Sequence, residues 1–136
     1  QRQMCIRDRG VAIALGAIAR QHDINKRIEA VHLISPFSKL DDIIPRWVGY
    51  WGMHTTGRFD NMDHLRQLRQ DLPVHVYHGT HDELIPAQHA ANLVRTRHRA
   101  TWPATITTLD YIAGMGHDPT EHRMALLDCM YKRCAA

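Results

Sequence analysis

The sequence predicts an α/β domain in which three parallel strands are flanked by helices. Two observations carry this. Short runs rich in branched residues (IEAVHLI at 28–34, PVHVY at 73–77, TITTLDY at 105–111) alternate with longer stretches of helical character. Each interval is long enough for a crossover helix, and strands alternating with helices specify βαβ units and a parallel sheet. Right-handed crossovers then set the three strands side by side.

Taken in order, residues 1–9 (QRQMCIRDR) show no hydrophobic periodicity and are unlike the rest of the chain. They resemble a translated sequencing-adaptor remnant and are expected to be a non-native leader, leaving 10–136 as the domain proper. From Gly10 to His22, Val11, Ala14, Leu15 and Ile18 keep the i, i+3, i+4, i+7 spacing, while Ala12, Ile13, Ala17 and Ala19 fill the other faces. A helix apolar nearly all round is buried on more than one side. The first strand ends at Pro36, and Ser38 is placed to cap a short helix over 40–44 that Pro45 breaks. Beyond it lies an aromatic-rich irregular stretch with Trp47, Tyr50, Trp51 and Phe59. Leu65 and Leu68 mark one face of a short amphipathic helix over 62–69.

The second strand opens on Pro73, where proline is tolerated, with Val74 and Val76 on one face. Pro86 starts a helix reaching about His98. The third strand is dense in β-branched residues. The run Asp118-Pro119-Thr120-Glu121 has the form of a capping box opening a last helix to about Lys132.

Composition excludes several functions. The formal charge is +3, but Arg2, Arg7 and Arg9 against Asp8 contribute two of those charges from the leader. No run of basic residues occurs, so nucleic-acid binding is not expected. No apolar run approaches the ~20 residues of a membrane helix, and no secretory signal is legible. Three cysteines make no disulfide framework; reduced thiols in a cytoplasmic-type compartment are favoured. The 11 histidines raise the question of zinc. Yet His75 and His78 fall on opposite strand faces, and no H-E-x-x-H or paired C-x-x-C occurs, so no metal or other cofactor is expected.

The chemistry gathers in two loops. Asp82 follows the second strand in His78-Gly79-Thr80-His81-Asp82-Glu83-Leu84-Ile85-Pro86, and His117 follows the third in Gly114-Met115-Gly116-His117. Loops at the carboxyl ends of neighbouring parallel strands converge on one crevice. A hydroxyl nucleophile needs a base with a pKa near the working pH, and histidine fits. A carboxylate on its other ring nitrogen fixes the tautomer and stabilises the imidazolium. Gly114 and Gly116 let the loop turn tightly enough to present His117. Asp82 is therefore the candidate acid and His117 the candidate base. Asp118 is a rival acid whose capping role already accounts for it, while His78 and His81 flank the acid loop and are read as simply polar, the alternative being that they tune it.

These two loops, together with Ser35-Pro36-Phe37-Ser38-Lys39-Leu40 and Phe59-Asp60-Asn61, resemble the α/β-hydrolase group that includes depalmitoylase-like and serine aminopeptidase-like members. The likeness runs from Gly10 onward and implies the C-terminal part of an α/β-hydrolase fold. It further implies Asp82 and His117 as two members of a Ser-Asp-His triad acting on esters, thioesters or amides. The substrate would be a small or acylated molecule, with Phe37, Trp47 and Trp51 near its acyl group. In this group the helix starting near Gly10 follows the nucleophile elbow, which puts the serine at about position 6 or 7. Ile6 and Arg7 stand there, with Asp8 where glycine is expected. The only serines, Ser35 and Ser38, lack a G-x-S-x-G setting. The nucleophile and oxyanion hole are therefore expected outside this chain, which alone should be inactive. Truncating the sheet should also bare apolar surface and promote aggregation. The alternative is a non-catalytic α/β binding or scaffold domain, a degenerate relative of the hydrolases.

Overall fold

The computed structural model describes residues 3–7, 9–43, 59–100 and 106–135. In chain order the elements are β1 (Gln3–Arg7), α1 (Arg9–Arg20), α2 (His22–Arg27) and β2 (Ala30–Ile34). A 3-10 turn (Leu40–Asp42), α3 (Asn61–Gln67), β3 (Val74–Gly79) and α4 (Gln88–Ala100) come next. The chain then forms β4 (Thr107–Ile112), a second 3-10 turn (Thr120–His122) and α5 (Arg123–Ala135). All strands are parallel, in the order β1-β2-β3-β4.

The three expected strands are present, with a fourth beside them. Gln3–Arg7, for which the residue pattern predicts no element, pairs in parallel with β2. Met4 and Ile6 alternate with Cys5 and Arg7, a period of two that five residues are too few to reveal. Through this pairing the flank of β2 expected to lie bare is covered, and β1 takes its place as an edge of the sheet.

Register sorts the side chains onto two faces. Ile6, Leu33, Val76 and Leu109 lie in one row across the four strands. This face packs with Val11, Leu15 and Ile18 of α1, Leu65 of α3 and Leu93 of α4 into the main core. Burying each such side chain contributes about 1.5–3 kcal/mol. The opposite face carries the row Cys5, His32, His75 and Thr108 and the row Arg7, Ile34, Tyr77 and Asp110. There Leu126, Cys129 and Met130 of α5 pack on Tyr77, Ile112 and Met115. His75 and His78 point apart, as strand alternation requires.

Helix α1 is less enclosed than its composition predicts. Val11, Ala12, Leu15 and Ile18 are buried, but Ile13 is 64% exposed. Two caps also depart from expectation. Ser38 bonds to Asp42 Oδ2 (3.3 Å) without capping the 3-10 turn, whose preceding residue is Lys39. Asp118 accepts from both the amide and the hydroxyl of Thr120 (3.1 and 2.6 Å), so it closes a local turn. Pro119 precedes the 3-10 turn, and α5 begins only at Arg123. By contrast Asp60 caps α3 by accepting from the Asp63 amide at 3.1 Å.

Arg97 is a structural residue that the pattern does not announce. Fully buried on α4, it donates through Nη1 to the carbonyls of Leu65 (2.9 Å) and Leu68 (3.2 Å). Its Nη2 donates to Arg69, Gln70 and Leu72. These carbonyls belong to the end of α3 and the descent into β3, where no helix ladder satisfies them.

Candidate active site

Two loops at the carboxyl ends of β3 and β4 build the site. They are joined by main-chain hydrogen bonds: Thr80 N–H to Ile112 O (3.1 Å) and His81 N–H to Met115 O (3.0 Å). The Gly114 amide adds a bond to Thr80 Oγ1 at 2.9 Å. Approach is so close that a Cβ on Gly79 would lie 2.0 Å from the Met115 carbonyl oxygen. Gly114 has φ +76, a left-handed conformation that glycine takes without penalty. Gly116, also expected to serve the turn, has room for a side chain, the nearest atom to a Cβ there being His81 O at 3.7 Å.

This stitching brings Asp82 and His117 together. His117 Nδ1 lies 3.1 Å from Asp82 Oδ2. The Asp82 side chain is fully buried and that of His117 is 16% exposed. Asp82 divides its oxygens between two tasks. Oδ1 accepts from the amides of Leu84 (3.1 Å) and Ile85 (2.8 Å), while Oδ2 faces the imidazole. The turn-forming role of an aspartate after a strand and its role as an imidazole partner are thus filled by different atoms.

His78 belongs to this group and is more than the simply polar flanking residue favoured for it. It is fully buried, with Nε2 2.8 Å from Ile85 O and 3.7 Å from Asp82 Oδ2. Burial holds it below the ordinary imidazole range, against the opposing pull of the Ile85 carbonyl and Asp82. A neutral ring donates Nε2–H to Ile85. The available signal was its even spacing from Val74 and Val76, which points it to the same inward face. His81 is exposed, and its ring meets Thr80 Oγ1 at 3.0 Å.

β1 ends at Arg7 and α1 starts at Arg9, a strand-to-helix handover at the same edge of the sheet. Arg7 Nη2 donates to the main-chain carbonyl of His117 (3.3 Å) and lies 3.6 Å from Asp118 Oδ1. Asp118 is therefore tied to Thr120 and Arg7. Neither serine takes part in the Asp82–His117 contact. Ser35, at φ +47 just past β2, has a buried Oγ with no hydrogen-bond partner among the described residues. Ser38 Oγ sits 2.7 Å from His89 Nδ1.

Phe37 is buried with Ala12, Ile43 and Ile85. It lines an apolar cavity of about 130 Å³ with Ala12, Ile13, Leu40 and Phe59. Trp47 and Trp51, the other expected substrate contacts, lie outside the described residues. Among the described residues, no helix is long and apolar enough to cross a membrane.

Comparison with solved structures decides the fold. A puromycin-hydrolyzing peptidase of Mycobacterium tuberculosis superposes with TM-score 0.61 over 84% of this chain, at 15% identity. The Mycobacterium tuberculosis protein Rv0554 matches 98% of the chain with TM-score 0.68 and 13% identity. A carboxylesterase of Lactobacillus plantarum WCFS1 matches 85% with TM-score 0.60 and 15% identity. The chain has the architecture of an α/β-hydrolase. It spans 18%, 65% and 45% of those three structures, respectively, less than two thirds of each. No family model matches the sequence, and no curated protein matches it. At these identities the α/β-hydrolase likeness is one of fold. The carboxyl-edge position of Asp82 and His117 is where open α/β sheets place their ligands.

Proposed function

We propose that this chain carries the acid–base half of a serine hydrolase active site, with Asp82 orienting His117 and His117 serving as the general base. The observation that supports this most is the 3.1 Å contact between Asp82 Oδ2 and His117 Nδ1 at the carboxyl edge of the sheet. Holding a proton on Nδ1 leaves Nε2 as the basic nitrogen, the one that takes a proton from an attacking hydroxyl. In the complete reaction a serine attacks an ester, thioester or amide carbonyl, and water then hydrolyses the acyl-enzyme. Its amide after the nucleophile, and one from an early loop, would hold the oxyanion. The chain as written has no G-x-S-x-G serine, and we infer that it does not turn over alone. Phe37 and its apolar cavity suit the acyl portion of a small or acylated substrate.

A second reading, a non-catalytic relative, draws support from Arg7. A guanidinium stands at the strand-to-helix handover and binds the carbonyl of His117 itself. One experiment separates the two. The wild-type chain and an Arg7→Ser variant are incubated with a fluorophosphonate probe. The hydrolase reading expects no labelling of wild type and slow labelling of the variant that disappears when His117→Ala is added. Labelling of a folded Arg7→Ser variant that His117→Ala leaves unchanged favours the non-catalytic reading.

A further inference from the structure

Away from the candidate site, on the sheet face that α5 covers, two imidazoles are stacked in register. His32 of β2 pairs with His75 of β3. Their ring centroids are 4.9 Å apart with planes 30° from parallel. They are 1% and 5% exposed. Tyr77 stacks on His32 and meets its Nδ1 at 3.0 Å. Thr108 Oγ1 of β4 meets His75 Nδ1 at 2.9 Å.

Helix α5 closes this space. Cys134 Sγ lies 3.9 Å from His32 Nε2. Arg133 binds Asp110 of β4 through two hydrogen bonds of 2.9 and 2.7 Å. The other ionisable groups facing the stack are Cys5 of β1, in register with His32, and Glu29, which lines a cavity of about 250 Å³ together with both imidazoles, Arg133 and Cys134. Among the described residues, no carboxylate forms an ion pair with either imidazole. Asp110, the acid on β4 nearest in register, is engaged by Arg133.

We propose that the His32–His75 stack is an acid-operated latch on α5. Protonating both rings would place two like charges side by side in a buried space, next to Arg133, and expel the helix that roofs them. The consequence reaches the candidate site because α5 continues directly from the loop bearing His117, through the 3-10 turn at 120–122.

The direction of the coupling is set by burial. Burial, then His32 and Arg133, push His75 down to about 4 against the pull of Asp110, and burial also pushes His32 down. With α5 released, the rings regain their ordinary value near 6.5. The docked state's advantage is therefore complete above about pH 6.5 and declines as pH falls toward about 4. His75 contributes up to about tenfold in the docking equilibrium per pH unit across that window, and His32 acts in the same direction.

Amide hydrogen exchange on the full chain between pH 7.5 and 4.5, expressed as protection factors, tests this. Amides of α5 are expected to lose protection by at least about tenfold while those of α1 hold. In a His32→Gln/His75→Gln variant this loss is expected to vanish. Asp110→Asn should lower α5 protection at every pH while leaving its pH dependence in place. The latch is overturned if α5 and α1 lose protection together, or if the dependence survives in the double variant. Should that variant fail to fold, ring-carbon NMR titration of the wild type decides: His75 titrating near 6.5 with α5 still protected refutes the latch.

Discussion

Asp82 meets His117 with only one of its carboxylate oxygens. Oδ2 faces the imidazole, and Oδ1 is held by the amides of Leu84 and Ile85. The division separates what a substitution does to folding from what it does to the dyad. Asp82→Asn keeps an acceptor for the turn amides but loses the carboxylate opposite Nδ1. Stability should change by about 1 kcal/mol or less, read from urea unfolding. In an Arg7→Ser background, fluorophosphonate labelling should fall by about a hundredfold or more.

Gly79 and Gly116 offer a matched pair. A Cβ at Gly79 collides with the Met115 carbonyl, oxygen and carbon both, which only main-chain movement relieves. Gly79→Ala should cost about 3 kcal/mol and separate the loops that hold Asp82 and His117. Gly116→Ala meets ordinary van der Waals contact and should stay within about 1 kcal/mol. Equal unfolding midpoints for the two variants would contradict the close approach.

Removal of the Arg97 side chain should be the most damaging single change on α4. Arg97→Met leaves carbonyls at Leu65, Leu68, Arg69, Gln70 and Leu72 without their buried donor. The expected loss is about 3 kcal/mol in urea unfolding. Arg97→Lys should recover only part of it, because one ammonium cannot reach carbonyls spread along that turn.

Exposed apolar side chains include one on α1 and three along α5. Ile13 is the one on α1; Met124, Leu127 and Tyr131 along α5 are 72%, 52% and 73% exposed. Self-association of the purified chain is expected. Sedimentation velocity checks it: a Met124→Lys/Leu127→Glu variant should shift the distribution toward monomer. A monomeric wild type at high concentration would contradict the expectation.

Much of this architecture was legible because local pattern and tertiary role agree. The strands at Val31, Val74 and Leu109 announce themselves through branched residues, and the turn residues around Asp82 and His117 through glycine and proline. What escaped has physical causes. β1 is too short for its alternation to stand out, and its partner β2 lies 27 positions on. Arg97 reads as a surface residue because its partners are main-chain carbonyls, which carry no sequence signature. His78 was hidden because a histidine beside an acid loop reads as a polar neighbour, and its burial depends on packing. The Asp118 cap failed because Thr120 competes for the same carboxylate oxygen.

In the proposed dyad the Asp82 carboxylate holds a proton on His117 Nδ1. Long-range ¹H–¹⁵N correlation of the imidazole, recorded where the ring is neutral, reads this directly. A protonated Nδ1 and an unprotonated Nε2 are expected, with the Nδ1 proton signal lost in Asp82→Asn. A neutral His117 carrying its proton on Nε2, unchanged by Asp82→Asn, would contradict it.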